Sequence, residues 1–128
     1  MSTDRETKIR ALRGATTVEA NEPNAIVAGT AELLREILNR NEVQPDDVVS
    51  VLFTATDDLS AEFPAVAARS VGLAEVPLMC AREMPVPGSV RRCIRVMMHL
   101  YTKRTVQELE HVYLHGASRL RSDLVSGT

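Results

Sequence analysis

One arginine, Arg95, stands in the middle of an apolar run, Cys93-Ile94-Arg95-Val96-Met97-Met98. A run of this kind reads as a strand packed into a sheet. Side chains alternate along a strand, so Cys93, Arg95 and Met97 take one face and Ile94, Val96 and Met98 the other. The second face is dry. The first holds a cation that cannot lose its proton, and burying such a group requires an anion beside it. The chain is therefore held to a sheet with one packed face and one face built around a fixed charge. That arrangement suits an anionic ligand, or charge that develops during a reaction.

The 128 residues suffice for one domain with a core of its own. Only 3% of them are aromatic, so aliphatic side chains must fill that core. A net charge of −2 supplies no basic field, and nucleic acid is not an expected partner. The two cysteines, Cys80 and Cys93, lack CxxC spacing and fit a reducing compartment without a disulfide framework. No apolar stretch is long enough for a bilayer, and Met1 to Lys8 is polar and charged, unlike a signal peptide. A cytoplasmic location is expected, with no membrane partner.

Periodicity divides the rest. Ile9 to Val18 is rich in strand formers and predicts a first strand. Asn21 and Pro23 open a helix in which Ile26, Thr30, Leu33, Leu34, Ile37 and Leu38 share one face, running to about Asn41. Pro45-Asp46-Asp47 turns the chain into a second strand, Val48 to Ala55. Phe63-Pro64 opens a second helix that Gly72 closes. Val76 to Ala81, Arg92 to Tyr101 and His111 to Leu114 supply three further strands, with a tight connection at Pro85, Pro87 and Gly88. The expected fold is α/β in the α+β sense, a mixed five-stranded sheet with helices packed on one face. So few helices leave the other face bare, and burying it against copies of the same chain predicts an obligate homo-oligomer.

Candidate chemistry is sparse. Arg13, between Leu12 and Gly14, reads either as an edge-strand cation in solvent or as a ligand cation, with Gly14 permitting close approach. Arg95 is either half of a structural ion pair with Glu83 or a functional cation. Glu83 alone reads as a turn carboxylate, Cys80 as a small core side chain and Tyr113 as a half-buried strand aromatic. His111 and His115 are four residues apart but lack a third metal ligand, so no metal is expected. Asp57-Asp58 reads as turn chemistry and Arg91-Arg92 as a solvated basic pair. No phosphate-binding glycine loop is present. Arginines, one tyrosine and one carboxylate on strands suit the binding of a small polyanion, or a reaction needing only positioning and electrostatics.

Six fragments occur in order: Arg13-Gly-Ala-Thr-Thr-Val18, Phe63-Pro-Ala65 with Arg69, Val76-Pro-Leu-Met-Cys80, Arg82-Glu83-Met84, Cys93-Ile-Arg-Val-Met-Met98 and His111-Val-Tyr-Leu114. Together they resemble the monofunctional chorismate mutases of the AroH class, over about Ile9 to Leu124. The resemblance implies a single domain over residues 9–124, flanked by a polar N-terminal extension over 1–8 and a flexible tail over 125–128. It implies a homotrimeric pseudo-α/β-barrel with active sites between subunits. It also implies the pericyclic rearrangement of chorismate to prephenate, on the route to phenylalanine and tyrosine, without cofactor or covalent intermediate. By the same resemblance Arg95 donates to the ether oxygen and a carboxylate. Arg13 and Tyr113 hold a carboxylate, Glu83 accepts from the ring hydroxyl, and the Cys80 region contacts that end. Phe63, Ala65, Leu78 and Met79 form an apolar wall from the adjacent chain, while Arg69, Leu120 and Arg121 help to close the site.

Val66 stands where some relatives carry a lysine, which removes one cation from the mouth of such a site. Two other readings of the same residues are a non-catalytic trimeric module that binds an anionic metabolite in the inter-subunit clefts and a trimeric imine deaminase.

Overall fold

The computed structural model describes residues 5–120. Its sheet has five strands: β1 (Lys8–Thr17), β2 (Val48–Ala55), β3 (Leu78–Arg82), β4 (Cys93–Thr102) and β5 (Val112–Tyr113). They lie in the order β3-β2-β4-β1-β5. β4 runs antiparallel to both β1 and β2, while β3 joins β2 and β5 joins β1 in parallel. The expected mixed sheet is therefore present. Its first strand is flanked on both sides, so Arg13 does not lie on an edge strand.

The helix α1 (Pro23–Arg40) covers one face. Pro23 opens it, where a missing N–H removes no helical hydrogen bond. All six positions of the predicted stripe, Ile26 to Leu38, are buried. Thr30 is tolerated there because its hydroxyl donates to the Ile26 carbonyl at 2.7 Å. At the far end Asn41, almost wholly buried, donates to the carbonyls of Ile37 and Glu110 and accepts from the Glu110 N–H. That one side chain ties the end of α1 to the segment that enters β5.

Between α1 and the sheet lie Leu12, Leu33, Leu34, Ile37, Val51, Phe53, Val96, Met98 and Leu100. Phe53 is the largest fully buried side chain of a core that is otherwise aliphatic. Gly14 belongs to this layer. A Cβ there would stand 2.7 Å from Ile37 Cδ1 and 3.2 Å from both Leu33 Cδ1 and the Val112 carbonyl. The close approach that Gly14 allows is that of α1, beneath the sheet.

The second predicted helix is a 3₁₀ segment, Pro64–Val71. Proline at its start and Gly72 in the left-handed region (φ 83°) at its end leave it eight residues. So short a segment gains little from α-helical cooperativity.

On the opposite face Ala117 and Leu120 bury Ala15 and Cys93 at one end, but no layer among the described residues covers the rest. Leu52 and Met97 pair across β2 and β4, and Leu52 and Met79 across β2 and β3. Leu52 and Met79 are 41% and 64% exposed, which leaves an apolar strip in solvent in the single chain. Arg95 lies on this face. Its burial was expected from its apolar neighbours, yet its side chain is 50% exposed. The alternation is as expected, but α1 packs only on the Val96 and Met98 side.

Candidate active site

Strand register assembles the site. On the uncovered face Arg95 lies opposite Thr54 of β2 and Ala15 of β1, and Ala15 in turn pairs with Tyr113 of β5. One step along, Met97 lies between Arg13 and Leu52. Arg13, Arg95 and Tyr113 thus come from three neighbouring strands, although 82 positions separate Arg13 from Arg95 in the chain.

Glu83 completes the group. It follows the last residue of β3, and its N–H donates to the Ala55 carbonyl at 2.9 Å, which carries the ladder one residue further. Its side chain turns to the same face, and Oε2 lies 3.4 Å from Arg95 Nε. The pair is only partly shielded, with Glu83 24% exposed, so it is a weak stabiliser of the fold and remains open to a ligand. Arg13, Thr54, Glu83, Arg95, Tyr113 and Leu120 line one hollow of about 490 Å³, a size suited to a small molecule.

Behind Arg13 a side chain holds the strand's backbone. The Arg13 N–H donates to His111 Nδ1 at 2.9 Å. Burial, reinforced by the Arg13 charge, holds His111 below its usual pKa and keeps it the neutral acceptor this bond requires. Cys93 sits at the foot of the site, packed with Ala15, Ala117, Tyr113 and Leu120. Burial pushes its thiol up to about 11, so it is not a nucleophile at neutral pH.

The turn entering β4 is pinned. The Arg92 N–H donates to Asp58 Oδ2 at 2.9 Å, its Nε donates to the Val18 carbonyl at 3.1 Å, and its φ is 46°. Arg91 lies 3.3 Å from Asp58. The Asp58 carboxyl is pushed up by burial, but the Thr56 hydroxyl, the Arg92 N–H and the Arg91 charge outweigh that and lower its pKa. Arg91 and Arg92 are exposed, as a solvated pair would be, with Arg91 66% exposed, but the pair also has a structural role. It anchors the strand that carries Arg95.

Of the other residues named from the sequence, Leu120 shares the Arg95 hollow and most lie elsewhere. Leu78, Cys80 and Ala65 pack against the core layer, while Met79 points to the uncovered face. Phe63, 68% exposed, shares with Cys80 and Arg82 a second hollow of about 370 Å³ at the end of β2 and β3. Arg69 is exposed on the 3₁₀ segment. Leu120 lines the main hollow, and Arg121 lies outside the described residues. His111 and His115 diverge, since His115 pairs with Glu32, and no cluster of metal ligands occurs among the described residues. Neither Thr54 nor Leu52 stands out as a site residue in the sequence, and Met97 stands out only as sharing a face with Arg95. A threonine inside the Val48–Ala55 run was the available signal, but only register shows which face meets Arg95.

A hollow that offers fixed cations, a carboxylate and a phenol, with its nearest thiol held protonated, suits chemistry done by positioning and charge. The family model for chorismate mutase type I matches residues 9–124, and the chain belongs to that family. It is 48% identical over 119 residues to the chorismate mutase AroH of Thermus thermophilus, covering 92% of this chain and 98% of the relative. It is 45% identical over 117 residues to that of Bacillus subtilis (strain 168), covering 91% and 92%. A solved chorismate mutase from Clostridium thermocellum superposes with a TM-score of 0.84 at 49% identity, over 86% of this chain and 98% of the other.

Proposed function

We propose that Arg95, Glu83, Arg13 and Tyr113 are the groups with which this chorismate mutase acts on its substrate. Chorismate carries two carboxylates, a ring hydroxyl and an enol ether. Its rearrangement to prephenate breaks a C–O bond as a C–C bond forms, through a compact transition state with negative charge growing on the ether oxygen. The protein need supply only a fixed conformation and donors aimed at that oxygen. Arg95 donates to it and to a carboxylate, which a planar fork can do and an ammonium does poorly. Arg13 and Tyr113 hold a carboxylate, and Glu83 accepts from the ring hydroxyl. The observation that carries this reading is the Arg95–Glu83 pair, 3.4 Å apart on the wall of the hollow that Arg13 and Tyr113 also line.

The site is completed by a second copy of the chain, in a homotrimer. Leu52 and Met79 are exposed on the face beside Arg95, and Phe63 and Cys80 open into a separate hollow of the same chain. A neighbour's Phe63, Ala65, Leu78, Met79 and Arg69, with the region of Cys80, would then wall the Arg95 hollow, while Leu120 and Arg121 close it against water. The working unit is the single domain over residues 9–124, and two free cysteines accord with the reducing cytoplasm.

Mixing tests this sharing. Arg95→Ala and Arg69→Glu chains, each nearly inactive alone at low chorismate, are unfolded together and reassembled. Random assembly leaves about a quarter of the sites with both halves intact, so about a quarter of wild-type activity returns. No recovery from a mixture shown to be trimeric contradicts shared sites, and a monomeric mass with full activity contradicts the trimer.

A further inference from the structure

We propose that Thr54 is a positioning residue for Glu83, fixing which carboxylate oxygen the substrate meets. The inference rests on reading Glu83 as the acceptor of the ring hydroxyl. Thr54 lies on β2, between β3 and β4, directly opposite Arg95 on one side and Ala81 on the other. Ala81 is small, which leaves room for Glu83, two residues on, to lean back over β2. There the Thr54 hydroxyl donates to Glu83 Oε2, the same oxygen that faces Arg95 Nε.

The consequence follows from counting donors. A threonine hydroxyl has one proton, and here it goes to Oε2. Arg95 approaches Oε2 as well, at 3.4 Å. Both interactions of the carboxylate thus fall on one oxygen, and Oε1 remains the acceptor for a ligand hydroxyl. A glutamate has three side-chain torsions and Glu83 stands just past a strand end, so the ion pair alone would let it swing. Threonine is stiff about its first torsion, and a threonine on an inner strand gives the carboxylate a fixed stop. The same stop holds Oε2 beside Arg95, which limits how far that guanidinium can move from the reacting ether.

The test is a double-mutant cycle read as kcat/KM for chorismate, on variants shown to be folded and assembled as the wild type. Thr54→Val keeps the shape and removes the proton. It is expected to lower kcat/KM roughly tenfold, the size of one hydrogen bond to a charged group, chiefly by raising KM. Thr54→Ser, which keeps the hydroxyl, stays within about threefold of wild type. In a Glu83→Ala background Thr54→Val has no further effect, because the residue through which it acts is gone. A general packing role predicts the opposite, with the same loss in both backgrounds. The proposal is overturned if that loss persists without Glu83, or if Thr54→Val stays within about twofold of wild type while Glu83→Ala is impaired. Wild-type kcat/KM in Glu83→Ala overturns the reading of Glu83 itself, and the role of Thr54 with it.

Discussion

Gly14→Ala places one methyl group where β1 and α1 are closest. The added Cβ would stand 2.7 Å from Ile37 Cδ1, well inside van der Waals contact, and 3.2 Å from Leu33 Cδ1. Both side chains are fully buried, so neither has solvent to move into. The third neighbour, the Val112 carbonyl at 3.2 Å, is backbone and belongs to β5. Overpacking a tight core by one carbon costs about 1–3 kcal/mol. Replacing glycine also reduces the freedom of the unfolded chain, which returns about 0.4–1 kcal/mol. Mid-range values leave a net loss of about 1 kcal/mol, read as a lower urea midpoint at unchanged slope and at one fixed protein concentration. Because the strain falls between Arg13 and Tyr113, kcat/KM for chorismate should fall too. A Gly14→Ala protein as stable as the wild type would refute the claim that α1, and not a ligand, fills the space over this glycine.

The other predictions concern the groups that hold the site from behind. Asn41→Ala removes the bonds to the Glu110 N–H and carbonyl, while the Ile37 carbonyl keeps the Asn41 N–H. A loss of about 1–2 kcal/mol is expected in urea unfolding, with reduced turnover as β5 loosens, and wild-type values for both would contradict the tie. His111 has its folded pKa depressed below 6.5, so between the two values the unfolded chain binds the extra proton. Its contribution to stability is full above the unfolded value and is lost as pH falls through the folded one. His111→Gln should therefore show a smaller drop in urea midpoint than wild type from about pH 8 to pH 5. Equal drops would show that His111 does not carry the effect.

Much of this fold could be read locally. The stripe on α1 follows from a helical period of apolar residues, and Pro23 and Gly72 mark where segments begin and end. The two faces of β4 follow from alternation alone. What lies over each face does not. Arg95 looked buried because Ile94 and Val96 are, but they point to α1 and Arg95 points to the bare side. The site was legible as residue types, through the fragments that resemble a known family, and not as geometry. Setting Arg13 beside Met97 and Thr54 beside Arg95 requires the register of strands far apart in the chain, which no local signal encodes. Gly14 shows the same limit, since its neighbours Ile37 and Val112 come from two other elements.

The central claim is that Arg95 supplies the charge that the rearrangement needs. It is tested most directly by following the loss of chorismate absorbance, with prephenate identified as product, for the wild type and for Arg95→Ala shown to be folded and assembled. Removing a preorganised donor to developing charge lowers turnover roughly 10²–10³-fold. The account predicts rapid loss with wild type and a fall of that order in the variant. Near-wild-type turnover by Arg95→Ala would contradict it.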